Sequence, residues 1–91
     1  MRRFGLTTAQ QVLLGRCVAA AQRVPGQEFA CRVDGRNNWL EHPGWMGGPL
    51  DVDHSDLFTL EALGLIRFAG GAARGRFELT PAALERHAQL G

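Results

Sequence analysis

Glycine and proline cut this chain into short segments, and that punctuation limits what it can fold into. Pro25-Gly26, Asp34-Gly35, the run Pro43, Gly44, Gly47, Gly48 and Pro49, then Gly64, then Gly70, Gly71 and Gly75, and finally Thr80-Pro81 each mark a break. Only residues 7–24 leave room for a long helix. With 91 residues the chain predicts one small domain and no second one. Hydrophobic residues make up 45% of it, enough to bury a core, so disorder is excluded on composition.

The segments between breaks have readable periods. Residues 7–24 predict a helix: Thr7 and Gln10 fit a capping box, and Ala9, Val12, Leu13, Cys17, Ala20, Ala21 and Val24 form an apolar stripe that Leu14 and Val18 widen. Residues 28–33 alternate, with Phe29, Cys31 and Val33 on one face, and predict a strand. Residues 36–42 fit a short helix or a return strand carrying Trp39, and 43–52 predict a loop. Residues 53–63 predict a second helix, capped by Asp53, with Asp56 in its first turn and Gly64 as the left-handed residue that ends it. Residues 65–80 predict a hairpin with a glycine-rich tip, and 81–90 a last helix that Pro81 opens.

The stretch Asp56-Leu57-Phe58-Thr59-Leu60-Glu61-Ala62-Leu63-Gly64-Leu65-Ile66, followed by Arg76-Phe77-Glu78-Leu79-Thr80-Pro81, resembles the second half of a winged helix-turn-helix domain. The resemblance covers about 40 residues; before Asp53 only the element order matches. It implies an α+β fold with helices beside an antiparallel sheet of two or three strands. It also implies a recognition helix at Asp53 to Leu63 and a wing at Ala69 to Arg76. DNA-binding members of that family lay the recognition helix in the major groove.

Charge by segment bears on that role. Residues 1–36 carry six Arg and two acids, a net +4. Residues 37–66 carry no Arg and five acids, Glu41, Asp51, Asp53, Asp56 and Glu61, a net −5. Residues 67–91 return to +2, and the whole chain sums to +1. The expected recognition helix thus lies in the most acidic third. Affinity for DNA comes mainly from cations on phosphates, so carboxylates there oppose it. For double-stranded DNA there remain Arg74 and Arg76 on the wing, with Arg2 and Arg3 in the N-terminal arm.

Other chemistries are poorly served. The chain has no Lys and no Tyr, and Ser55 is its only Ser, so few side chains could serve an active site. This usage, with Arg as the only strong base and much Ala and Gly, points to a GC-rich, bacterial coding genome. Asp51, Asp53 and Ser55 alternate like the start of a calcium loop, but Asp56 and Ala62 stand where that loop needs Gly and Glu. Cys17, Cys31, His42 and His54 lack the close pairs of a zinc site, and both Cys fit an apolar face. No metal, cofactor or catalytic group is expected. No apolar run is long enough to span a membrane, and neither a leader nor a disulfide framework argues for secretion, so a cytoplasmic domain is expected.

Trp39, Trp45 and Met46 lie in or beside the glycine- and proline-rich segment, where periodicity does not dictate burial. They either fold back on the core or present an apolar anchor, since Trp and Met are enriched at interface centres. With Asp53 and Asp56 they define the expected surface for a partner protein whose own face is basic. The favoured expectation is a non-catalytic protein-binding adaptor or regulatory module, and a homodimer is compatible with it. The alternative is a DNA-binding regulator that works through the arginines.

Overall fold

The computed structural model describes residues 6–34, 37–69 and 75–90. The fold is α+β: three helices and a five-stranded antiparallel sheet. In chain order the elements are α1 (Thr8–Arg23), β1 (Phe29–Asp34), β2 (Asn37–Glu41), β3 (Leu50–Val52), α2 (His54–Ala62), β4 (Ile66–Ala69), β5 (Gly75–Leu79) and α3 (Pro81–Leu90). No described helix is long and apolar enough to cross a membrane.

Helix α1 begins on the expected capping box. The Gln10 amide N–H donates to Thr7 Oγ1 at 3.1 Å, and the Thr7 N–H donates to Gln10 Oε1 at 3.0 Å. Its buried arc departs from the expected stripe. Leu13, Leu14, Cys17, Val18 and Ala20 are buried, whereas Ala9 is exposed and Val12 is 55% exposed. The arc turns because α1 packs against α2, α3 and β5 together, which centres it on Leu14, Cys17 and Val18.

The sheet order is β3-β2-β1-β5-β4. Two or three strands were expected, and five form. Residues 37–41 take the strand alternative, with Leu40 paired to Cys31 and Trp39 to Arg32. The expected loop 43–52 ends early, because Leu50–Val52 pairs with β2, Leu50 opposite Leu40 and Asp51 opposite Trp39. Alternation then sorts the side chains. Phe29, Cys31, Leu40, Ile66, Phe68 and Phe77 are buried on the face beneath the helices. Arg32, Asp51, Arg67, Ala69, Arg76 and Glu78 are exposed on the other face, which also carries Trp39. The Phe29 and Phe77 rings stack at 5.1 Å between centroids, joining the first half of the chain to the hairpin.

Helix α2 follows β3 directly, and three strands separate it from α1. Asp53 caps it, accepting from the Ser55 N–H at 3.2 Å. Its exit is a Schellman turn: Leu65 N–H to Leu60 O and Gly64 N–H to Glu61 O, both 2.9 Å, with Gly64 at φ +75° as expected. Thr80 then ties the start of α3 to that exit, its hydroxyl donating to Gly64 O and its N–H to Leu65 O.

Candidate functional site

Three elements meet at the open edge of the sheet. The N-terminal half of α1, strand β3 and the first turn of α2 enclose a groove of about 150 Å³. Val12, Leu13, Leu50 and Val52 give it apolar walls. Asp53 and Asp56 border it where α2 begins, Asp51 borders it from β3 with its side chain on the outer sheet face, and Arg16 is the one basic residue in the lining. One oxygen each of Asp53 and Asp56 is engaged: Asp53 caps α2, and Asp56 accepts from Gln10 Nε2 at 3.2 Å. These bonds fix the two carboxylates rather than neutralise them. The result is an apolar hollow with two fixed carboxylates at its α2 end.

A second groove, of about 370 Å³, lies at the other end of β2, between the 43–49 loop and the outer sheet face. His42, Trp45, Glu41, Ala30 and Arg76 line it. His42 is buried against the Phe29 ring, 4.3 Å between centroids. Its Nδ1 accepts from the Gly44 N–H at 2.9 Å, so the other nitrogen carries the proton and faces Gln27 O at 3.3 Å. Burial pushes the His42 pKa down, and the bond to Gln27 opposes that shift. The ring is therefore held neutral, with both nitrogens occupied by backbone.

The structure divides the expected site residues. Asp53 and Asp56 come together, joined by Asp51, whose alternate spacing with Asp53 was the available signal. Trp45 packs against the core and its indole N–H donates to Arg16 O at 3.1 Å. Met46, next in the chain, is 84% exposed. Trp39 is half-buried on the outer sheet face, in the row between Asp51 and Arg32. Arg76 sits opposite Ala30 on that face, with no ion-pair partner among the described residues. Arg2, Arg3 and Arg74 lie outside the described residues. Sequence reasoning missed Val12, which it assigned to the core, and Leu50, which it assigned to a loop.

The exposed face of α2 is uncharged over Ser55, Phe58 and Ala62. Phe58 is 49% exposed and stacks on the His54 ring four residues before it, 4.5 Å between centroids. Cys17 and Cys31 are buried and unpaired, as expected of small core residues. Burial raises both thiols, Cys17 to about 12. Comparison with known proteins finds no matching family model, no matching curated protein and no matching solved structure.

Proposed function

We propose that this domain is a non-catalytic recognition module that takes a partner protein with a basic surface. The observation that carries the reading is the groove between α1, β3 and α2, where Asp53 and Asp56 border an apolar hollow walled in part by the half-exposed Val12, with Asp51 on the outer face of β3 beside it. Fixed carboxylates around an apolar pocket steer a cationic partner inward and then reward an aliphatic side chain. The run α2, β4, β5, α3 supports a winged-helix likeness in the second half of the chain. Helix α2, which would enter DNA on that plan, carries Asp53 and Asp56 at its start and no Arg or Lys along its length. That arrangement favours a protein over a phosphate backbone.

The states of Cys17, Cys31 and His42 fit the non-catalytic part of this reading. Neither thiol is a ready thiolate at neutral pH, because burial holds each protonated. His42 has no free nitrogen for proton transfer.

The test compares two fluorescent probes at physiological salt: a seven-residue peptide of alternating arginine and valine, and a random-sequence DNA duplex. The peptide binds, the duplex binds less tightly, and Asp53→Asn with Asp56→Asn weakens the peptide by roughly tenfold or more. Tight duplex binding that ignores the Asp pair would overturn the reading.

A further inference from the structure

We propose that the partner enters as an extended segment that adds a sixth strand to the outer edge of β3, its residues alternating between aliphatic and basic. The proposal rests on the protein-binding reading above and specifies its mode.

The edge is open. Strand β3 is the last of the sheet, bonded to β2 on one side, and among the described residues no hydrogen bond reaches its other side. Alternate backbone N–H and C=O groups of an edge strand point outward and template another chain. The groove of about 150 Å³ lies where such a chain would put its inward side chains. A hollow of that volume takes one ring or branched aliphatic group, and Val12 gives it an apolar wall on α1. A side chain on the outward face of the added strand would stand next to Asp51, which lies in one row with Trp39. A guanidinium there meets a carboxylate and an indole ring. Asp53 and Asp56 hold further anionic charge at the end of the strand, where α2 begins.

The same charges decide the occupant. A second copy docking by its own β3 would bring Asp51 against Asp51 under two-fold symmetry, with both Asp53–Asp56 pairs nearby. A basic segment meets no such repulsion.

The probe is the acetylated, amidated arginine–valine heptapeptide, followed by amide hydrogen exchange of the whole domain. Bound peptide is expected to slow at least one amide of Leu50, Asp51 or Val52 by roughly tenfold or more. Two further peptides, one N-methylated at every valine and one at every arginine, keep their charge, and the one whose methylated amides face β3 cannot complete the ladder and should lose binding. Val12→Arg, at an exposed helical position that leaves the core untouched, should also lose it. Binding that depends on Asp53 and Asp56, yet tolerates both N-methylation patterns and leaves residues 50–52 unprotected, overturns strand addition and leaves the protein-binding reading standing. Failure of the unmodified peptide to bind overturns both. Protection of residues 50–52 without peptide, together with a dimer in sedimentation, identifies a second copy as the occupant and overturns the proposal.

Discussion

The indole N–H of Trp45 donates to the backbone carbonyl of Arg16, 3.1 Å away, and so fastens the 43–49 loop to α1. The ring also lies 5.5 Å from Phe29 and 6.0 Å from His42 between centroids, inside one aromatic cluster. Trp45 is thus part of what holds the loop, and Met46 is what the loop presents. Trp45→Ala should cost about 2–3 kcal/mol, below the full value for a core aromatic because the ring is only half-buried. Trp45→Phe keeps the ring contacts and loses the N–H bond, so about 1 kcal/mol is expected. Urea denaturation of the two variants measures both. Equal losses would mean that the ring contributes little beyond its hydrogen bond.

Two glycines should respond differently to one methyl group. A Cβ on Gly64 meets nothing within 4 Å, and its only penalty is the positive φ, so Gly64→Ala should cost on the order of 1 kcal/mol. A Cβ on Gly44 would stand 2.6 Å from Ala20 O and 2.9 Å from Ala20 Cα, both backbone. The loop cannot approach α1 that closely with a side chain there. Gly44→Ala should therefore cost more than Gly64→Ala and should release the Trp45 N–H bond, which tryptophan fluorescence reports alongside the denaturation midpoint.

Burial lowers the His42 pKa, and the sign of its effect on stability follows. The folded state disfavours the charged ring, while the unfolded chain takes up a proton near the ordinary value of 6.5. Its contribution is complete above that value, falls as pH drops towards the lowered folded pKa, and levels off below it. Denaturation midpoints between pH 7 and 5 should decline in the native sequence and decline less in His42→Gln. Identical slopes would remove His42 from the account.

The thiols give the opposite pH sense. An unfolded Cys ionises near 9, whereas buried Cys17 stays neutral to about 12, so stability should fall as pH rises through 9. Alkylation near pH 8 should spare Cys17 in the folded protein and modify it in urea.

Local signals made much of this fold readable. The capping box at Thr7, the cap at Asp53 and the glycine exit at Gly64 act within a few residues, and each forms as its spacing predicts. Strands β2 and β3 had no such signal. Leu40 is the only apolar residue on the inward side of Asn37–Glu41, and Trp39 points the other way. β3 is three residues caught between Pro49 and Asp53. Pairing with β1 and with each other makes them strands, and pairing is non-local. The site divides in the same way. Its carboxylates were legible as an acidic run, but the groove exists only because α1 and α2 come together, with Gln10 reaching Asp56 across 46 positions.

Because those carboxylates cap a helix as well as rim a groove, fold and recognition must be separated by choice of substitution. Asp53→Asn keeps an oxygen that can accept from the Ser55 N–H, so its cost should be a few tenths of a kcal/mol, whereas Asp53→Ala loses the cap and should cost about 1 kcal/mol. Asp56→Asn likewise keeps an acceptor for Gln10 and gives up only a charge near the helix start, worth about 0.3–1 kcal/mol. The paired Asn variant should therefore unfold close to the native midpoint while losing most of its attraction for a cationic partner. Its binding should also be less salt-dependent, since of the three carboxylates that attract the partner only Asp51 remains. If the Asn pair unfolds as readily as Asp53→Ala, the carboxylates are needed for the helix itself, and weaker peptide binding would then report a damaged edge rather than a missing charge.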